Sequence, residues 1–190
     1  MTTKQEFYWK PIGTTGLEHL ILEQTADAVT ADGLILRHHD GEGLRLRYRL
    51  DCDHNWFPRK LRVQSLGNAP TEIVASNDGH GNWVDDQQHP LDHLKGCFNV
   101  DIMGTPFTNT LAIKYLGLAV GEAKEIDVAY VTIPDLHLVR AAQRYTYLRQ
   151  DSDTSYYLYE NVDSDFKAEL WVDAQQLVRV YEGQWIGFSP

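Results

Sequence analysis

The chain has 190 residues, 27 acidic against 17 basic, with a formal net charge of −10, and at that length it can bury roughly two thirds of its unfolded surface without a metal or a disulfide. The negative field repels phosphate and so opposes non-specific binding to nucleic acid or to an anionic membrane surface. No window approaches the roughly 18 continuous apolar residues of a membrane helix, and the opening MTTKQEFYWKPIG lacks the apolar core of an export signal; the expectation is one cytoplasmic domain, residues 1–190, with no transmembrane segment.

In chain order, Phe7-Tyr8-Trp9 reads as an aromatic strand and Leu17 to Thr25 as a second, with Leu20 and Leu22 alternating against Ile21 and Glu23. Ala31-Asp32-Gly33 reads as a turn into Leu34 to His38. The pair Asp40-Gly41 is a two-residue hairpin signal between two extended runs. Its second arm has the clearest alternation in the chain: Leu44, Leu46, Tyr48, Leu50 and Cys52 on one parity, Arg45, Arg47, Arg49 and Asp51 on the other. Successive strand side chains point to opposite faces, so the three arginines form one row, spaced roughly 7 Å apart. That row is either a solvated face paired with neighbouring carboxylates or a ligand-facing strip.

Asp53 to Pro58 is a connector carrying Trp56 and Phe57, and Arg59 to Leu66 is a further alternating strand. Thr71 to Ser76 is followed by a glycine-flanked turn around His80, with Trp83 opening the next strand. Asp85 to Pro90 is another turn and Leu91 to Lys95 one helical turn. In Lys95 to Leu118, Phe98, Val100 and Ile102 alternate with Asn99 and Asp101 before Gly104 to Thr110, which reads as a polar turn or loop. Three threonines and an asparagine there hold more hydrogen-bonding capacity than a simple turn needs.

Glu125 to Ile133 alternates up to a break at Pro134-Asp135. For Leu136 to Leu148, Thr146 between two tyrosines favours extended structure over a helix. Tyr156 to Val162 and Phe166 to Asp173 form a hairpin around Asp163-Ser164-Asp165, and Leu177 to Tyr181 and Gly183 to Phe188 close the series. Eleven to fifteen short strands with very little helix indicate an all-β class: an antiparallel roll or open barrel, or else two sheets in a sandwich.

The chain has no glycine-rich nucleotide loop, HExxH, GxSxG or cysteine cluster, so no cofactor and no metal are expected. Cys52 and Cys97 read as two buried thiols, with a bridge between them as the alternative. Asp78 and Asp101 form an acid/base pair for glycoside-type hydrolysis only if the fold brings them within roughly 5 to 10 Å; otherwise Asp78 is a turn residue and Asp101 a partner for an arginine or for backbone donors. Aromatic residues including Trp9, Tyr48, Trp56, Trp83, Tyr145 and Trp171 accompany the arginines. Aromatic faces stack on sugars or cover acyl chains, while arginine and amide groups hold hydroxyls, phosphate or carboxylate.

The ordered segments Leu44 to Tyr48, Cys52-Asp53 with Trp56 and Arg59, Asp78 to Trp83, Leu94 to Asp101, Thr105 to Leu111, Val128 to Val131 with Pro134 to Leu136, and Gln143 to Thr146 resemble the bacterial family described as putative glycolipid-binding proteins, formerly a domain of unknown function. The resemblance runs from Phe7 to Tyr181 and implies a spiral β-roll, comparable to carriers of lipid-modified proteins. The family's common Pro-Ile-Arg-Arg after Asn-Thr-Leu is here Ala112-Ile113-Lys114-Tyr115, which keeps one charge and removes the other.

The expectation is a non-enzymatic protein for an amphipathic small molecule or glycolipid. Its ligand-binding candidates are Arg45, Arg47, Arg49, Arg59, Lys114 and Arg144 for an anionic or polyhydroxylated head group, Asp101, Thr108 and Asn109 for hydrogen bonds, and Trp56, Trp83 and Tyr145 for the apolar portion. Two other readings stand beside it: an interaction or homodimerisation module using aromatic strand edges, and a hydrolase using Asp78 or Asp101.

Overall fold

The computed structural model describes residues 2–39, 41–67 and 70–188. The Asp40 half of the Asp40-Gly41 hairpin signal lies outside them. Seven strands precede the chain's midpoint: β1 (Thr3–Pro11), β2 (Gly16–Gln24), β3 (Ala28–His39), β4 (Glu42–Asp53), β5 (Pro58–Ser65), β6 (Glu72–Asn77) and β7 (Trp83–Asp85). A single 3-10 turn, Asp92–Leu94, leads to β8 (Asn99–Ile102) and the helix α1 (Phe107–Leu116). Then come β9 (Ala123–Val131), β10 (Leu138–Asp151), β11 (Thr154–Asn161), β12 (Lys167–Val172), β13 (Val178–Tyr181) and β14 (Trp185–Phe188).

All fourteen strands belong to one sheet in the order β7-β6-β5-β4-β3-β2-β1-β14-β13-β12-β11-β10-β9-β8. Two meanders are thus joined where β1 pairs with β14, and among the described residues no ladder joins β7 to β8, so the roll is open. Every pairing is antiparallel except β8 with β9. Those two strands are connected through α1, and a crossover of that kind is what a parallel pair requires.

The alternation of β4 holds as read. Leu46, Tyr48 and Leu50 are fully buried, while Arg45, Arg47 and Arg49 lie on the outer face. Trp9 and Trp185 fill the inner face near the β1–β14 joint, and the Trp9 Nε1–H donates to the Val178 carbonyl at 2.9 Å.

Two local readings are corrected. Ala31-Asp32-Gly33 is not a turn: β3 runs straight through it, and the reversal falls before Ala28, where Thr25 Oγ1 accepts from the Ala28 and Asp27 N–H groups. Glycine stands at position 33 because the Tyr48 ring crosses it; a Cβ there would lie 2.1 Å from that ring, the close approach that glycine in a strand interior permits.

The second correction concerns Thr105 to Thr110, which is not a loop but leads into and forms the first turn of α1. Thr105 Oγ1 accepts the Phe107 N–H at 3.0 Å, and Gly117, in the left-handed conformation, ends the helix. Pro at the start and Gly past the end form the usual helix punctuation. Eight of the ten helical residues are buried. The helix therefore shows no amphipathic stripe, because it is covered on nearly every side by the roll.

Candidate ligand-binding cleft

Beside the N-terminal end of α1 the roll leaves a cleft of about 280 Å³. Asp101 from β8 and Asn109 from α1 supply its polar floor; Tyr130 (β9), Tyr159 (β11), Tyr181 (β13) and Trp185 (β14) supply its walls. Register explains the convergence. Asp101 is paired with Tyr130, Tyr159 with Tyr145, and Tyr181 with Trp185. Met103 and Phe166 also line it and are more than one third exposed, so its mouth is apolar. Two larger but more open depressions, one of about 560 Å³ elsewhere and one of about 500 Å³ that adjoins the cleft at Asn161 and Phe166, are lined mainly by charged and polar residues.

Behind the floor lies a buried polar network. Thr108 Oγ1 donates to Asp101 Oδ1 at 2.6 Å, and Gln143 Nε2 donates to Asp101 Oδ2 at 2.7 Å. The Tyr145 hydroxyl donates to Asn109 Oδ1 at 2.9 Å, and Gln143 Nε2 also reaches the Tyr159 hydroxyl at 3.1 Å. Burial pushes the Asp101 carboxyl above its ordinary range, against the opposing hydrogen bonds from Thr108, Gln143 and the Ile102 N–H. Burial first, and then the Asp101 charge, push the Tyr130 phenol up to about 12. Tyr145, Tyr159 and Tyr181 are raised by burial first as well, with Asp101 among the further causes for each.

A second buried acid lies on the other side of Thr105. Glu18 is fully buried, and its Oε1 accepts from the Tyr48 hydroxyl and from Thr105 Oγ1, each at 2.6 Å. Its Oε2 has no hydrogen-bond partner among the described residues. Burial raises its pKa to about 8, so it is mostly protonated at neutral pH.

Of the residues nominated from sequence, the fold brings Asp101, Thr108, Asn109 and Tyr145 together here. Trp83 is a core residue 2% exposed, its Nε1–H donating to the Cys97 carbonyl at 2.7 Å. Arg45, Arg47 and Arg49 face outward: Arg47 pairs with Asp32 at 2.7 Å and Arg49 with Asp51 at 3.0 Å. Arg144 also lies on the outer surface, paired with Glu125 and, at 3.9 Å, with Glu160. Arg59 pairs with Asp53 at 2.7 Å and packs where a side chain at Gly79 would otherwise stand.

Trp56 and Lys114 meet near the other end of α1. The Lys114 ammonium sits 4.5 Å from the Trp56 ring centroid and donates to the Gln175 carbonyl at 3.0 Å, beside a depression of about 250 Å³. Burial lowers the Lys114 pKa, against the attraction of Asp173. Tyr115 packs edge-on to Phe57 and stacked near Phe98, which gives the Lys114-Tyr115 pair a packing role. Asp78 is exposed and absorbed by its own turn, accepting from the His80 and Asn82 N–H groups and from the Asn82 amide. The Asn82 amide is the main cause of its lowered pKa.

Tyr130, Gln143, Tyr159, Tyr181, Trp185 and Glu18 were not nominated. Glu18 had a readable signal, since it shares parity with Leu20 and Leu22. The same holds for Gln143, on the parity of Tyr145 and Tyr147. The aromatics carried none, because an inward tyrosine reads as core.

Residues 6–186 match the sequence profile of a family described as "Putative glycolipid-binding". A crystal structure of a DUF1089 family protein from Pseudomonas aeruginosa is similar to this chain, with a TM-score of 0.72 and 36% identity over 87% of this chain and 89% of that one. No curated protein matches.

Proposed function

The chain belongs to the "Putative glycolipid-binding" family, and we propose that it is a non-enzymatic binding protein holding the head group of an amphipathic glycolipid over Asp101. The observation that carries this reading is the cleft itself: acceptor groups on the floor, aromatic rings on the walls and an apolar mouth. Hydroxyls of a sugar meet Asp101 and Asn109, while its apolar face meets the rings. At about 280 Å³ the cleft lies just below the usual range for small-molecule sites of roughly 300–1,000 Å³. It suits a head group, with the tail leaving past Met103 and Phe166.

Glycoside hydrolysis ordinarily uses two carboxyl groups flanking the bond. Asp101 is the one carboxyl among the described residues lining the cleft, and Asp78 is held in its turn. The test is calorimetric titration with octyl glucoside, supported by mass spectrometry of lipid that co-purifies. Saturable binding is expected, weakened about tenfold or more by Tyr181→Ala, equivalent to about 1.4 kcal/mol. Absence of saturable binding, or binding indifferent to Tyr181→Ala, overturns the reading.

A second reading, an interaction surface for another protein or a second copy, is favoured by one observation. Leu36, Ile186 and Trp171 are each more than one third exposed, and strand register places Ile186, Val180 and Trp171 in one row across the outer face. Exposed apolar side chains aligned in this way, in a row that ends at Lys10 on β1, are a common mark of association. Sedimentation at increasing concentration decides it: a dimer lost on Trp171→Glu supports it, and a monomer throughout removes the second copy.

A further inference from the structure

We infer that the head group held at Asp101 carries a protonated amine, so that the ligand class is an amino-substituted glycolipid instead of a neutral or purely anionic one. The inference rests on the cleft being the binding site. Asp101 is 8% exposed and lines the cleft, yet among the described residues no lysine, arginine or histidine forms an ion pair with it. Its hydrogen-bond donors, the Thr108 hydroxyl, the Gln143 amide and the Ile102 N–H, are all neutral. Asp32, Asp51, Asp53, Asp127 and Glu169, all more exposed, each have an arginine. A buried carboxylate is ordinarily paired with a charge, and an ionised one has about four acceptor positions, of which these three neutral donors leave one open.

The walls have the complementary geometry. The rings of Tyr159, Phe166 and Tyr181 have centroids 6.1, 5.9 and 6.2 Å apart, and their planes meet at 62, 69 and 59°. Three rings steeply inclined to one another form the corner of a box. Ring faces attract a cation that comes within about 6 Å of their centroids. Tyr130 stands in register beside Asp101 and adds a fourth aromatic wall. The Asp101 charge contributes to the raised pKa of Tyr130, Tyr159 and Tyr181, as expected of groups sharing one poorly hydrated volume.

The groups around Asp101 are Thr108 and Asn109 from α1, Tyr130 from β9, Gln143 and Tyr145 from β10, Tyr159 from β11 and Tyr181 from β13. The cation of the cleft lining, Arg37, lies over Trp185 at 5.5 Å and is not among the groups that set the Asp101 pKa. Arg37 and Asp101 line the same cleft, so a phosphate held there has a carboxylate in its site as well as a guanidinium. An ammonium satisfies Asp101 directly, and the net charge of −10 favours its approach.

The test titrates the whole protein at about pH 6.5 with three probes sharing one tail: octyl 2-amino-2-deoxyglucoside, octyl glucoside and octyl phosphate. The amino glycoside is expected to bind at least about tenfold tighter than the neutral one. Asp101→Asn should abolish that preference, while Arg47→Ala, on the outer face and paired with Asp32, should leave the affinity for both glycosides within about twofold. In the unaltered protein the preference should shrink as pH falls, because burial raises the Asp101 pKa and the carboxyl takes up a proton while the amine stays charged. This second measurement needs no variant to fold.

Equal binding of the two glycosides, tighter binding of octyl phosphate, a preference that survives Asp101→Asn, or one that ignores pH each overturns the inference. If neither glycoside binds, the cleft reading falls with it.

Discussion

Glu18 and Asp101 are two buried carboxyls on opposite sides of the start of α1, each receiving a hydrogen bond of 2.6 Å from a threonine there, Thr105 for Glu18 and Thr108 for Asp101. They differ in what lies beyond. Glu18 is sealed against Tyr48, with its pKa raised to about 8 and its second oxygen unpartnered among the described residues. Asp101 opens onto an aromatic cleft. Sealing an acid in the core makes it a neutral fastener between β2, β4 and the helix entry; placing one at the edge of a cavity leaves its charge for a ligand to satisfy.

The strongest way to break the comparison is Gly33→Ala. The added carbon would stand 2.1 Å from the fully buried Tyr48 ring, the partner of Glu18. A loss of about 3 kcal/mol is expected in urea unfolding; a loss below about 1 kcal/mol would mean that Tyr48 is not clamped. Next comes Glu18→Ala, which leaves the Tyr48 and Thr105 hydroxyls without their buried acceptor and should cost about 2–4 kcal/mol.

Glu18→Gln sharpens the same point through pH. The folded pKa of about 8 is above the ordinary 4.5, so the stability held by the protonated acid is fully present below about pH 4.5 and is lost as pH rises through about 8. The unaltered protein should weaken over that window by a few kcal/mol. Glu18→Gln should flatten the profile, and an unchanged slope would show that the acid is not the source.

At Asp101 the sign reverses between stability and function. Asp101→Asn removes a buried charge while an amide can still accept from Gln143 and donate to Thr108. The empty protein should be up to about 1 kcal/mol more stable at neutral pH, even as affinity for an amine falls; thermal unfolding would detect the gain. The smallest effect belongs to the outer face. Arg47→Ala should change stability by less than about 1 kcal/mol and leave cleft affinity within about twofold. A large loss of binding would return the arginine row to the site.

Much of the roll is readable in the chain because one face of each strand is buried: Leu44 to Cys52 announces its core face, and the arginines opposite it announce the outer one. Other elements escape for physical reasons. The start of α1 carries threonines and an asparagine of modest helix propensity, and burial on nearly all sides removes its periodicity. Gly33 looks like a turn because glycine's usual meaning is backbone freedom, whereas here it is room for a neighbour's ring. Four nominated residues, Asp101, Thr108, Asn109 and Tyr145, do meet. What brings Tyr130, Tyr159, Tyr181 and Trp185 to them is register across the seven strands from β8 to β14, a long-range property that no local pattern encodes.

Strand β8, which carries Asp101, is also one end of the sheet, and β7 is the other. The segment 86–98 spans the gap, fastened where the Leu91 N–H donates to the Trp83 carbonyl, where the Gly96 N–H donates to the Gly81 carbonyl, and where Trp83 and Asn77 donate to the Cys97 carbonyl. The circumference of the roll is therefore set by a seam of isolated hydrogen bonds instead of a continuous ladder. A closed barrel can enlarge its bore only by breaking strand pairs. Here the wall bearing the acidic floor has a ladder on one side alone, to β9, and on its other side is held to β7 through this seam and the buried Leu94 and Cys97.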